Sequence, residues 1–330
     1  MPENRASTCP AARATRLVSR RVFVAICLAA LALATGGIPL HAAEGISLRV
    51  MSFNLWHGGD AGRQPLAQTL AVIRAAQADV VGLQETAGLE RDGQRPDNAQ
   101  RVAAMLGWHY HDQGDRTGVI SRYPIAGATP REWGVQIELP DGRRVWLFNA
   151  HLAYTPYQPY QLLKIPYENA PFVDDAAGAV AAAEKARGGQ VERLLAEVRA
   201  VAAQDVPLFI TGDFNEPSVL DWTPAVARAG RCPVAVEWPS TRSVMAAGFV
   251  DAYRQLHADP LAAPGYTWTT TTAEDDPKDH HDRIDFVFVG GRKTHLKAAQ
   301  IVGEKSDRAD IVVAPYPSDH RGVVVTVALP

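Results

Sequence analysis

Eight side chains able to hold a cation or move a proton recur where short apolar runs end. Asn54 follows Val50-Met51-Ser52-Phe53, Glu85 follows Val80-Val81-Gly82-Leu83-Gln84, and His151 follows Leu147-Phe148-Asn149-Ala150. Asp213 and Asn215 come after Phe209-Ile210-Thr211-Gly212, Asp285 closes Asp282-Arg283-Ile284-Asp285 beside a strand, and Asp319-His320 precede the last apolar run. Carboxylate and amide oxygens are hard donors suited to divalent cations, and imidazole titrates near neutrality and can carry protons. Taken singly, an Asn or Asp after a strand is a turn residue, and a lone His is a hydrogen-bonded surface or core group. The recurrence of the pattern points to a shared site.

Such a site needs elements that bring distant residues together. The runs 48–53, 80–83, 145–149, 208–211, 284–289 and 323–329 are short, apolar and rich in β-branched and aromatic residues, which predicts strands buried on both faces. Between them, Leu66, Leu70 and Ile73 share one helical face, as do Val191, Leu194, Leu195, Val198 and Val201. Strand ends fix backbone positions and the loops that follow leave side chains free to converge. The alternation carries no repeat and no low-complexity linker, so a single mixed α/β or α+β domain is expected over 44–330. Residues 154–168 set Tyr154, Tyr157, Tyr160 and Tyr167 among Pro156, Pro159 and Pro166, a proline density that predicts an irregular loop. Its tyrosines either line the site or pack locally. The Ala-rich stretch 174–186 reads as a helix without chemistry of its own.

In chain order, Ser52-Phe53-Asn54-Leu55, Gly82-Leu83-Gln84-Glu85, Ser121-Arg122-Tyr123-Pro124, Asn149-Ala150-His151-Leu152, Gly212-Asp213-Phe214-Asn215, Asp282-Arg283-Ile284-Asp285 and Ser318-Asp319-His320 resemble the ordered motifs of the endonuclease/exonuclease/phosphatase superfamily. That superfamily includes pancreatic deoxyribonuclease, exonuclease III-type repair nucleases, inositol polyphosphate 5-phosphatases and neutral sphingomyelinases. The resemblance implies an α+β fold, a four-layer α/β/β/α sandwich of two packed mixed β-sheets flanked by helices. It implies Glu85 as principal metal ligand, assisted by Asn54 and by Asp319. Hard oxygen donors suit Mg²⁺, with Mn²⁺ or Ca²⁺ able to substitute, and the lack of a Cys cluster argues against structural zinc.

By the same resemblance, Asp213 and Asn215 position and activate a water whose proton passes to Asp213 or His320. Asp285, or in competition Asp282, fixes the His320 tautomer, and His151 stabilises a phosphoryl oxygen. Arg122, Trp56, Tyr154 and Tyr157 are candidates for substrate contact. His280 and His281 beside Asp282 look like a metal cluster, but the motif match accounts for that neighbourhood without them.

Composition narrows the setting. The chain carries 33 basic and 36 acidic residues, and the first 43 hold five arginines against Glu3, leaving 28 basic against 35 acidic groups beyond them, a balance of −7. An acidic surface offers no sequence-independent attraction for nucleic acid. The basic start, the apolar run 22–35 and Ala42-Ala43 predict a cleaved export signal over 1–43. Within it, Ser19-Arg20-Arg21-Val22-Phe23 resembles a twin-arginine signal, which implies a periplasmic or secreted bacterial protein. No membrane span is expected after cleavage, and a monomer is expected. Cys9 and Cys27 fall in the signal, so Cys232 is left without a disulfide partner. The expected reaction is in-line hydrolysis of small or lipid-derived phosphate esters. An extracellular nuclease and a sphingomyelinase-like phospholipase C are the alternatives, and a binding protein that has lost catalysis is less favoured because no motif residue is missing.

Overall fold

A computed structural model describes residues 46–329, so the expected export signal lies outside the described residues. The chain runs β1 (Ser47–Asn54), α1 (Leu66–Ala75), β2 (Val80–Gln84), α2 (Asn98–Leu106), β3 (His109–Gly114), β4 (Thr117–Ser121), β5 (Ile125–Ala128), β6 (Gly134–Glu138) and β7 (Arg144–His151). It continues with α3 (Gln158–Leu163), α4 (Ala176–Val201), β8 (Pro207–Asp213), α5 (Pro224–Arg228), α6 (Pro239–Ala246), β9 (Val250–Asp251), α7 (Ala252–Leu256), β10 (Asp285–Gly291), β11 (His295–Gly303), β12 (Ile311–Val312) and β13 (Gly322–Ala328). One sheet has the order β12-β11-β13-β1-β2-β4-β3 and the other β5-β6-β7-β8-β10-β9, each mixing parallel and antiparallel pairs.

The strands are apolar on both faces because each face has a layer to meet. In β1, Leu48 and Val50 point into the core between the sheets, whereas Met51 and Phe53 point outward onto Leu70 and Ile73 of α1 and Val102 of α2. In β7, Val145 and Leu147 face the inner core, and Trp146 and Phe148 face Val191, Leu194 and Val198 of α4. This period-two division yields the expected four layers, and each fully buried Val, Leu or Phe adds about 1.5–3 kcal/mol relative to exposure.

Behind the strand ends, the two sheets are joined by a polar seam. Gln84 Nε2 donates to Asn149 Oδ1 (2.6 Å), Thr211 Oγ1 donates to the same oxygen (3.1 Å), and Asn149 Nδ2 donates to Gln113 Oε1 (2.9 Å). Gly82 faces this seam, where a Cβ would overlap both Thr211 Oγ1 and Asn149 Oδ1, so the close approach of the sheets requires glycine there. The seam's bonds tie β2, β7 and β8 into one frame.

One expectation is corrected and one is extended. Residues 154–168 are not irregular throughout, because α3 forms within them. Pro159 sits in its first turn, where the missing N–H has no helical partner to lose. The Ala-rich stretch and the 191–201 face belong to one continuous 26-residue helix, α4, which Asp175 caps by accepting from Gly178 N at 2.7 Å. Cys232 is buried, and burial pushes its thiol up to about 12, as befits a packed residue. No helix among the described residues is long and apolar enough to cross a membrane.

Candidate active site

The register of the strands gathers the functional residues at one edge of the sandwich. Asn54 ends β1 beside Gln84, the last residue of β2, and Glu85 follows directly. In the other sheet His151 ends β7 opposite Asp213, the end of β8, and Asp285 opens antiparallel β10 opposite the same Asp213. The 318–320 loop is pinned across the gap. Ser318 Oγ donates to Asn54 O (2.7 Å) and accepts from His320 N (3.1 Å), while Thr270 N donates to Asp319 O (2.9 Å).

These ends line a cleft of about 950 Å³ whose walls include Trp56, His57, Glu85, Arg116, His151, Tyr154, Tyr157, Tyr167, Asp213, Asn215, Trp268, Asp319 and His320. Asn54 and Asp285 lie beneath it. Asn54 Nδ2 donates to Glu85 Oε1 (3.2 Å) and Asp213 Oδ2 (3.0 Å), and its Oδ1 accepts from Trp56 N (2.9 Å). Expected as a ligand, Asn54 is placed here as a brace between two carboxylates. Asp213 Oδ1 accepts from Asn215 N (2.9 Å), and Asn215 Nδ2 donates to Leu152 O (3.1 Å). His320 Nδ1 is 2.9 Å from Asp285 Oδ2, and its Nε2 points to Asp213 Oδ2 at 3.7 Å. His151 Nε2 approaches the same oxygen at 3.6 Å. Thr267 Oγ1 accepts from Asp285 N (3.1 Å), and the Trp268 ring stacks on His320 with centroids 6.3 Å apart.

Electrostatics follow from this crowding. Burial pushes Glu85 up, but the imidazoles of His151 and His320, the Asn54 amide and the His57 N–H together hold its carboxyl below the usual value. Asp319 is raised to about 6, by burial first and then by Glu85 and Asp213, with His320 opposing. Burial also raises Asp285 against the pull of His320. Burial opposes a charge on His320, yet Asp285, Asp213 and Asp319 carry its pKa well above the ordinary value. Trp56, His57, Glu85 and Asn215 all have positive φ, between 48° and 54°, which costs about 1–2 kcal/mol each for residues with a Cβ. The hydrogen bonds just described hold that strain at the site.

A divalent cation fits these residues. Asp319 Oδ1 is buried with no hydrogen-bond partner among the described residues, and a cation among Glu85, Asp319 and Asp213 would offset both the burial and the mutual repulsion that raise Asp319. Asp213, Asp285 and His320 also offer ligand atoms within 4.8 Å of one another. There, however, His320 Nδ1 is engaged with Asp285, which is wholly buried, so the Glu85 and Asp319 side of the cleft is the better cation site.

Not every expected residue reaches the cleft. Arg122 pairs with Asp79 at 2.9 Å and lies over the Trp108 ring at 5.6 Å, away from the cleft walls. Tyr157 lines the cleft, but its hydroxyl is engaged in a buried 2.7 Å bond to Asp282. Asp282 is occupied further by Trp222 Nε1 (2.8 Å) and His280 Nδ1 (3.1 Å), so the aspartate beside His320 is Asp285. Tyr167, from the loop whose tyrosines could line the site or pack locally, does line the cleft with Trp268, and so does Arg116, which sequence reasoning missed. The turn-forming Gly114-Asp115-Arg116 was the available signal for Arg116.

The model of the Endonuclease/Exonuclease/phosphatase family matches residues 51–320. The uncharacterized protein F14F9.5 of Caenorhabditis elegans is 30% identical over 301 residues, covering 84% of this chain and 90% of its own length. Among solved structures, an endonuclease/exonuclease/phosphatase from Beutenbergia cavernae shares the fold with TM-score 0.53 at 22% identity, over 86% of this chain and 72% of that one. The 3′ phosphatase NExo of Neisseria, bound to a product DNA hairpin, shares it with TM-score 0.51 at 17% identity, over 84% of this chain and 98% of that one.

Proposed function

Because the chain belongs to the endonuclease/exonuclease/phosphatase family, we propose that it is an exported, Mg²⁺-dependent phosphoesterase acting on small or lipid-derived phosphate esters. The observation that carries this reading is the convergence of Glu85, His151, Asp213, Asp319 and His320 on one cleft, with His320 held in a single orientation by Asp285. Glu85 and Asp319 would hold the cation, which when bound polarises a phosphoryl oxygen and offsets the charge of the transition state.

The chain's own groups supply the rest. Asp213, fixed by Asn54 Nδ2 and Asn215 N, orients the attacking water. The proton passes to Asp213 or to His320, whose facing atoms are 3.7 Å apart. Asp285 keeps His320 Nδ1 occupied, so Nε2 is the nitrogen facing the cleft. His151 Nε2, with no hydrogen-bond partner among the described residues, is free to donate to a non-bridging phosphoryl oxygen. Export rests on the twin-arginine-like start, and the preference for small esters on the acidic balance of −7 beyond the signal. N-terminal sequencing of protein recovered from the periplasm or medium checks export: a new start near residue 44 is expected, and an intact Met1 contradicts it.

The activity is tested with purified mature protein and Mg²⁺ on bis(p-nitrophenyl) phosphate, p-nitrophenyl phosphate, supercoiled plasmid and sphingomyelin. Diester cleavage at least equal to monoester cleavage, abolished by chelator, is expected, with plasmid left supercoiled. Four intact substrates, with Mg²⁺ or Mn²⁺ present, contradict the proposal.

A further inference from the structure

Arg116 is the one Lys or Arg among the residues lining the cleft, and its guanidinium makes no ion pair among the described residues. It sits in the two-residue turn between β3 and β4, whose register pairs Gly114 with Thr117. Both turn residues, Asp115 (φ 47°) and Arg116 (φ 60°), adopt the left-handed conformation that such turns ordinarily give to Asn and Gly. The strain is held by neighbours: Thr86 N donates to Arg116 O (2.9 Å), Gly114 N to Asp112 Oδ1 (2.9 Å), and Thr117 Oγ1 to Gly114 O (2.9 Å). The first of these ties Arg116 to the residue after Glu85, so its backbone moves with the cation side of the cleft. The side chain itself is exposed. A glycine would fit this turn at lower conformational cost, and an exposed arginine adds nothing to the packing that would recommend it.

We propose that Arg116 binds a second anionic group of the substrate, carried on the alcohol portion of the ester beyond the scissile phosphorus. The substrate class is thus a phosphate ester bearing a further phosphate or carboxylate. This rests on the phosphoesterase reading above. Arg116 lines the cleft and is exposed, so its guanidinium is available for a bidentate contact with an anion outside the reacting centre. The other basic side chains lining the cleft are the imidazoles of His57, His151 and His320, of which His151 and His320 serve the reacting phosphorus in the reading above.

The test compares two esters with the same reacting phosphorus and leaving group: p-nitrophenyl propyl phosphate, and its analogue with a phosphate on the far end of the propyl chain. Wild-type protein should prefer the phosphorylated ester at fixed free Mg²⁺. Arg116→Gly should lower the ratio of the two kcat/KM values by roughly 10- to 100-fold, and Arg116→Lys should recover part of it. The Gly variant should unfold no lower than wild type, since it relieves the turn. If wild type cleaves both esters without preference, or if Arg116→Gly leaves the ratio unchanged, the inference is overturned. A lower unfolding temperature for the Gly variant would overturn it too, by showing the arginine to be a structural support. If wild type cleaves neither ester, the phosphoesterase reading itself fails.

Discussion

Two aspartates three residues apart along the chain, Asp282 and Asp285, each pair with a histidine, and the two pairs behave differently. His320 Nδ1 meets Asp285 at 2.9 Å and His280 Nδ1 meets Asp282 at 3.1 Å, both largely buried. In the first pair the remaining nitrogen faces the cleft, 3.7 Å from Asp213. In the second it is spent on Arg231 O at 3.0 Å, and Asp282 also holds the Tyr157 hydroxyl and the Trp222 indole. An Asp–His pair is therefore not in itself catalytic machinery. What separates a site from a structural knot is a nitrogen left unspent and directed at a space a substrate can enter.

Replacing residues of each pair should separate these roles. His320→Ala should show the largest effect, lowering kcat for diester hydrolysis by about 10³-fold or more while far-UV circular dichroism stays native. Asp285→Asn leaves an acceptor but loses the charge that orients the ring, and a steady-state assay should find kcat reduced by about 10–100-fold. Asp282→Asn should act on stability: chemical denaturation should show a loss of about 1–3 kcal/mol from weakened bonds to Tyr157, Trp222 and His280. A larger loss of kcat from Asp282→Asn than from Asp285→Asn would invert the comparison.

The smallest effect concerns pH. Burial disfavours a charge on His280, but Asp282 and the Arg231 carbonyl outweigh it, so its folded pKa is above the ordinary 6.5. A raised folded pKa contributes stability that is complete below the unfolded value and is lost as pH climbs through the folded one. The melting-temperature gap between wild type and His280→Gln should thus be widest below pH 6.5 and narrow at higher pH. A gap that widens with pH would mean that Asp282 does not hold the imidazolium.

Much of this arrangement is legible in the sequence. The six strands read from apolar runs became β1, β2, β7, β8, β10 and β13, all interior members of their sheets and covered on both faces. The strands at the edges carry weaker signals. In β3, His109 to Gly114 is largely polar and partly exposed, so no apolar alternation marks it. Pro159 misled because proline excludes a helix interior but not its first turn. Arg122 lies within a motif, yet Asp79 claims it, a pairing that depends on the turn after β4. The choice between Asp282 and Asp285 was beyond sequence reasoning, since it is decided by the register that sets Asp285 against Asp213. Arg116 was passed over because a turn arginine looks like solvated surface until the cleft beside it is seen.

The central claim is that Glu85 and Asp319 share a cation in the cleft that His320 faces. Titrating Mn²⁺ into the mature protein and following its electron paramagnetic resonance signal tests this directly. Saturable binding is predicted for wild type and for His280→Gln, with marked weakening in Glu85→Gln and Asp319→Asn. Equal Mn²⁺ affinity in all four proteins, or no binding by wild type, would contradict it.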